Sequence, residues 1–471
     1  METISLSRKF ARWANELTYE DLPAPVISKI KAFLLNGLTG AALGYCGAIG
    51  KEAVELTLKE EAKADGASIL ASGSKATRYG AAYANSELMH SSELWDSYRM
   101  LTHPGPVLIP AALACAELEN RSGKELIVAL AVGYEFMCRL CDDFIPSTAA
   151  RGFRPSPIYS TLGGALACAK LLDLGEDGLV SAIALASNFA SGLNEGPRVG
   201  GNEISIHEPQ AARNAVFAGI IARTGHIKGA ESSLEGEAGF YNAFTGSFKG
   251  ELSYVFQGSK EVDLKTITHD LGETYKLLSV MFRIYPCAGF NQPVIELMTE
   301  LKQKHKFHAD DIDEIEVTMN WIETLYPSPK FPRESWTRPG IQTTHFYVAH
   351  VALNGGFPTV GGKTFGPTGN RLTEDTAVID FLHKRVKITG DKDRPMFSPK
   401  ISIKLKNGSE IFGQYPYSRL EWGFDDLVHR LNDCVIPLKQ GKAGFQRLVD
   451  KIGKLEELQN IMPLIKITQE I

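Results

Sequence analysis

Thr102-His103-Pro104-Gly105 holds the residue in this sequence best suited to moving a proton. The His-Pro-Gly run makes a turn into an apolar stretch, and imidazole is the side chain that gives and takes protons near neutral pH. Glu93, Asp96 and Ser97 lie within five residues of one another, shortly before that histidine. A carboxylate beside an imidazole orients it and raises its pKa, and a hydroxyl holds a substrate carboxylate. The same residues also have plain uses, as a helix cap and as solvated acids. Arg154 sits in the segment GFRPSP, ahead of a helix expected to start near Ile158. A guanidinium beside the free N–H groups of a helix start forms a receptor for an anion. Together these residues suit proton transfer on a small carboxylic acid.

Such chemistry needs a scaffold that keeps water out. The chain has 471 residues, 44% apolar and 22% charged, with a formal charge of -5, which supports a large core and about two to three structural units. No basic cluster stands out beyond Lys302, Lys304 and Lys306, so nucleic acid is not an expected partner. The N-terminal run METISLSRKFARWANEL lacks an apolar stretch of signal-peptide length, and no uninterrupted apolar window is long enough to span a bilayer. The expectation is a soluble, cytoplasmic protein with no membrane partner. Of the seven cysteines, Cys138 and Cys141 form a lone C-x-x-C in a helical context, read as core thiols. With no H-x-x-x-H, second C-x-x-C or phosphate loop, neither a metal nor a cofactor is expected.

Up to about residue 265 the sequence reads as successive helices rich in Ala and Gly, among them VLIPAALACAELE (107–119), ELIVALAVGYEFMCRL (125–140) and TLGGALACAKLL (161–172). Apolar residues cover more than one face of each, which implies helices buried in a bundle and packed through small residues. The period then changes. Ile315, Val317 and Met319 alternate with polar residues, as do Val386 with Ile388 and Ile401 with Ile403 and Leu405, the pattern of half-buried strands. Asn407-Gly408 marks a hairpin, and FYVAHVALNGG (346–356) a helix closed by a glycine pair. The division expected is a helical part over 1–275, a smaller α+β unit over 276–414, and C-terminal helices over 415–471 that return to the first part.

The segment HSSELWDSYRMLTHPGPVLIPAALACAE (90–117) resembles the active-site segment of the MmgE/PrpD family. The likeness continues through LLNGLTGAALG (34–44), SGKELIVALAVGYE (122–135), GFRPSPIYSTLGGALACAKLLDL (152–174), IHEPQAARNAV (206–216), FRIYPCAGF (282–290) and YVAHVALNGG (347–356). The resemblance implies a mainly α fold: a large helical domain built from both chain ends, an inserted α+β lid, and a homodimer. It also implies cofactor-independent dehydration, decarboxylation or epimerisation of small polycarboxylates. His103 matches the family's catalytic histidine. Where the family has Asp-x-Asp-Asp-Thr this chain has Glu93-Leu94-Trp95-Asp96-Ser97, so a tryptophan replaces the middle acid. Arg154 stands for a usual histidine and Arg283 for a lysine at the lid hinge. Ala288 and Ile204 occupy places where relatives carry a histidine and a lysine. His207, beside Glu208 after a glycine-rich loop, and Tyr326, near a family tyrosine, complete the implied substrate site.

The leading expectation is a lyase that expels water or carbon dioxide from a small di- or tricarboxylate. His103 moves the proton, Asp96, Glu93 and Ser97 support it, and Arg154 and Arg283 clamp carboxylates. Fixed cations in a dry pocket stabilise the enediolate that develops when a C–H next to a carboxylate ionises. An epimerase or isomerase would use the same carbanion without expelling a group. A catalytically silent member that keeps the fold is the third reading.

Overall fold

The structure is a computed structural model that describes residues 4–326, 331, 332, 340, 343–361 and 375–471. Its fold is mainly α with small sheets. The N-terminal part runs through α1 (Leu6–Glu16), α2 (Ala24–Cys46), α3 (Ala48–Glu61), a ribbon of β1 (Ala62–Ser68) and β2 (Lys75–Ala76), and α4 (Arg78–Ser91). After strand β3 (Asp96–Ser97) follow α5 (Gly105–Leu118), α6 (Gly123–Cys141), α7 (Ile145–Ala150), α8 (Pro155–Leu171), α9 (Gly175–Phe189), α10 (Glu195–Val199), α11 (His207–Arg223) and α12 (Phe240–Thr245).

These helices begin where local chemistry starts them. Ser122 and Glu125 close a reciprocal capping box at α6, with the Ser122 N–H donating to the Glu125 carboxylate at 2.7 Å. Small residues then let the helices approach closely. A Cβ on Gly133 of α6 would lie 2.7 Å from the Gly163 carbonyl of α8, and one on Gly163 equally near the Gly133 carbonyl. Cys138 and Cys141 lie on the buried surface of α6 as free thiols. Helix α2 is long and apolar enough to cross a membrane by length and composition, yet 83% of its most apolar window is buried inside the protein. There Phe33 stacks on Tyr134 of α6, centroids 4.0 Å apart and planes within 5°.

Strand β4 (Met281–Phe282) pairs antiparallel with β3. Further on, β5 (Ile312–Asn320), β6 (Val386–Asp391), β7 (Lys400–Leu405) and β8 (Glu410–Gln414) form one sheet in the order β6-β5-β7-β8. The anticipated alternation is present: Ile315, Val317, Met319, Ile401 and Ile403 are buried. Around the sheet pack α13 (Gln292–His305), α14 (Thr344–Asn354) and α15 (Thr376–Arg385). The Asn407-Gly408 turn joins two antiparallel strands, with Gly408 at φ +85°, and α14 ends on Gly355 at φ +84°. Helices α16 (Phe424–Leu431), α17 (Gly441–Gly453) and α18 (Met462–Ile467) end the chain, and α16 and α17 pack on α2. Two α2 lysines anchor this return: Lys29 donates to the Trp422 carbonyl at 2.9 Å and Lys31 to that of Gly453 at 2.7 Å.

Candidate active site

The β3–β4 pairing sets Asp96 opposite Phe282 and Ser97 opposite Met281, and the Arg283 N–H donates to the Trp95 carbonyl at 2.9 Å. Beside this short ladder lies a cavity of about 160 Å³ lined by Trp95, Ser97, His103, Arg154, Arg283 and Tyr326, among others. A larger, more open cleft of about 610 Å³ runs between α9 and the segment 227–244, but among the described residues its charged lining is only Lys228 and Glu237. Size therefore does not pick the site; the convergence of polar groups does.

His103 stands at the turn into α5, its backbone N–H donating to Ser156 Oγ of α8 at 2.9 Å. Its Nδ1 is 3.0 Å from the Asp96 carbonyl and 3.0 Å from Ser97 Oγ. A carbonyl only accepts, so Nδ1 carries the proton and Nε2 keeps a bare lone pair, the form of a general base. The pKa rise expected from the acidic cluster does not occur. Burial, then the charges of Arg154 and Arg283, push this imidazole down to about 3. It is neutral at ordinary pH.

The acids before it are placed differently from the sequence reading. Both carboxylate oxygens of Asp96 are occupied, by the Gly105 N–H at 2.8 Å and the Tyr134 hydroxyl at 2.7 Å. It anchors the start of α5, and burial raises its pKa to about 6. A Cβ on Gly105 would lie 2.8 Å from Asp96 Oδ1, so that glycine makes room for the contact. Glu93 is exposed; its carbonyl, not its carboxylate, meets Arg283 Nη2 at 3.2 Å. Left-handed φ values at Glu93 (+63°), Arg99 (+52°) and Leu101 (+68°) mark this segment, each a strain on the order of 1–3 kcal/mol that the packing around a site sustains.

Arg154 is the N-cap of α8, which begins at Pro155, ahead of the expected Ile158. Its guanidinium forms a buried ion pair with Glu208 in the first turn of α11. Burial opposes ionisation of Glu208, yet Arg154, His90 and His103 hold its pKa near 2. His90 Nε2 stands 3.5 Å from the other Glu208 oxygen, and burial drives this imidazole down to about 4. Glu87, one turn earlier on α4, has both carboxyl oxygens buried without a hydrogen bond, and burial with the nearby Glu208 charge raises it to about 8. Arg154 thus reaches the cavity already neutralised.

Arg283 does not. It is 5% exposed, its Nε is buried without a hydrogen-bond partner, and its guanidinium carbon lies 4.1 Å from the centre of the Trp95 ring. Among the described residues no carboxylate forms an ion pair with it. Trp95 also stacks on His90, centroids 4.7 Å apart and 18° between planes, and touches His103 at 4.7 Å.

Five of the eight residues singled out from sequence line the cavity: Ser97, His103, Arg154, Arg283 and Tyr326. Tyr326 packs edge-on against Phe290, centroids 6.1 Å apart. His207, first residue of α11, is half-buried with Nδ1 unpartnered, and it is not among the lining residues. Ile204 and Ala288 do line the cavity. Sequence reasoning gave no role to Trp95, His90 and Glu208, whose parts depend on contacts across the fold. Among the described residues no three His, Cys, Asp or Glu side chains gather closely enough to hold a metal ion.

Residues 8–253 match the MmgE/PrpD N-terminal domain. A cis-aconitate decarboxylase-like protein of Aspergillus oryzae is 25% identical over 376 residues, 74% of this chain and 73% of that protein. A cis-aconitate decarboxylase of Aspergillus terreus is 26% identical over 309 residues, 64% of this chain and 61% of that protein. The cis-aconitate decarboxylase of Mus musculus is 23% identical over 494 aligned positions, 98% of this chain and 93% of that protein. With more than half its length matched to the family's own domain and relatives aligned along most of the rest, the chain belongs to the MmgE/PrpD family.

Proposed function

We propose that this chain is a lyase of the dehydratase or decarboxylase type, acting on a small carboxylic acid through His103 and Arg283. The observation that carries the reading is a neutral imidazole sharing one small cavity with a buried guanidinium that has no ion-pair partner among the described residues. A buried cation is strongly unfavourable unless an anion meets it, so Arg283 calls for a substrate carboxylate. In a dehydration, His103 Nε2 takes the proton next to that carboxylate, the electron pair enters it as an enediolate, and hydroxide departs from the neighbouring carbon. In a decarboxylation carbon dioxide leaves first, its bonding pair stays on the carbon as a carbanion, and the carbanion takes a proton that His103 Nε2 has picked up from solvent once substrate is bound. In both, Arg283 stabilises the charge that grows on the carboxylate. Bound carboxylate also offsets the field of the two arginines, which raises the basicity of His103 when it is needed.

An epimerase or isomerase using the same carbanion is the second reading. Ile204 and Ala288 favour it, because they bring apolar surface to the cavity where the family resemblance implies a lysine and a histidine. Incubation with candidate acids in deuterated water separates the two. An unsaturated product marks the lyase; deuterium at the carbon next to the carboxylate, with the skeleton intact, marks the epimerase. Replacement His103→Ala lowers kcat/KM at least a hundredfold in either case; retained turnover rules out the role given to it.

A further inference from the structure

Among the described residues the cavity's cationic lining consists of Arg99, Arg154 and Arg283, and no carboxylate residue lines it. Their charges are not equally available. Arg99 is turned to Asp142, donating from Nε at 2.8 Å, and its side chain is 41% exposed, so water and its partner both screen it. Arg154 is committed to Glu208. Only Arg283 offers a buried charge that no carboxylate among the described residues pairs, the exposed Glu93 acting on it from beyond ion-pair distance. The space is also limited. A cavity of about 150 Å³ takes up benzene, roughly six heavy atoms, and this one is about 160 Å³. A four-carbon dicarboxylate has roughly eight heavy atoms and a six-carbon tricarboxylate roughly twelve, so on that scale the first fits with slight adjustment and the second does not.

Resting on the lyase reading above and narrowing it, we infer that the site selects short dicarboxylates over tricarboxylates. Trp95 and Glu208 are its specificity-determining residues. Trp95 fills space with an indole fixed from several directions: its Nε1 donates to the His90 carbonyl at 2.7 Å, His90 covers one ring face, and Arg283 lies over the ring. Glu208 sets the charge the site can accept by occupying Arg154. A substrate with one carboxylate on Arg283 leaves its second to the neutral groups around Ser97 and Tyr326 and to the outer face of the Arg154 pair. A third carboxylate would find no unpaired cation left to meet it, since Arg99 is held by Asp142 and Arg154 by Glu208.

Binding by calorimetry at fixed ionic strength tests this, with succinate and maleate set against tricarballylate and cis-aconitate. Wild-type protein should bind the dicarboxylates at least tenfold more tightly. Glu208→Gln, which frees Arg154, should raise the tricarballylate-to-succinate affinity ratio at least tenfold, and Trp95→Leu should move the ratio in the same direction. The wild-type ranking is decisive even if a variant does not fold. Tricarboxylates bound as tightly as dicarboxylates overturn the inference while leaving the lyase reading intact, as does an unchanged ratio in both folded variants. If neither class binds, the lyase reading itself fails and this inference falls with it.

Discussion

Arg154 and Arg283 reach one cavity from different kinds of structure. The first caps a bundle helix and meets a glutamate brought up by another helix; the second follows a two-residue strand and lies over an indole with its Nε unsatisfied. Around Arg154 the protein has more negative groups than it can use. Two carboxyls, Glu208 and Glu87, sit near one guanidinium, and only Glu208 is held ionised while Glu87 is driven toward the neutral acid. Around Arg283 the described residues supply a carbonyl, a ring and, beyond ion-pair distance, the charge of the exposed Glu93. Residue type is identical in the two places, so what a buried arginine does here is decided by its neighbours: a balanced one holds the scaffold, and an unbalanced one waits for a ligand.

The comparison can be broken most directly at Glu208. Glu208→Gln strands Arg154 and should lower stability by about 3–5 kcal/mol, read as a drop in the urea midpoint. The paired change Arg154→Met with Glu208→Leu should restore most of it, since apolar groups of similar volume replace a buried ion pair at little net loss. A single variant as stable as wild type would show that the pair is not what holds these helices. Arg283→Gln should behave in the opposite way. Its stability should stay level or rise, while kcat/KM falls about a hundredfold to a thousandfold, on the order of 2.7–4 kcal/mol of transition-state stabilisation.

Two smaller effects sharpen the contrast through pH. The folded pKa of Glu87 lies above its unfolded value, so its contribution favours the fold below about pH 4.5 and is lost as pH rises toward 8. Glu87→Gln should therefore gain on the order of 1–2 kcal/mol at pH 9 relative to pH 5, measured by denaturant unfolding at both. His103 is shifted the other way, and its neutral, basic form persists as pH falls until about 3. The acid limb of kcat/KM should lie well below 6.5 in the wild type. Arg283→Gln removes one of the charges that depress it and should move that limb upward by about one pH unit, about 1.4 kcal/mol. An unmoved limb would mean that the two groups do not feel each other.

Much of the scaffold was readable in the chain because its signals are local. The small-residue helices, the alternation at Ile315, Val317 and Met319, and the Asn407-Gly408 turn each depend on neighbours a few positions away. His103, Arg154 and Arg283 were found by residue type and by resemblance. The sequence could not say which arginine would be neutralised, because Glu208 lies 54 positions from Arg154 and the ion pair exists only once α8 and α11 are packed. Asp96 was read as an acid serving the histidine. Its side chain instead anchors α5, and its carbonyl does the orienting, a distinction of backbone direction that no spacing rule contains. The parallel pairing of β5 with β6 was likewise out of reach, since alternation marks a strand without naming its partner.

The two-residue ladder between β3 and β4 has a consequence for how the protein comes to life. It joins the stretch holding His103 to the stretch holding Arg283, and the hydrogen bond from Arg283 to Glu93 spans 190 positions. Closing so long a loop is entropically slow compared with forming the helices on either side. During refolding, ellipticity should therefore recover well before ligand affinity, and a chain emerging from the ribosome would stay inert until its second half had been made and had docked.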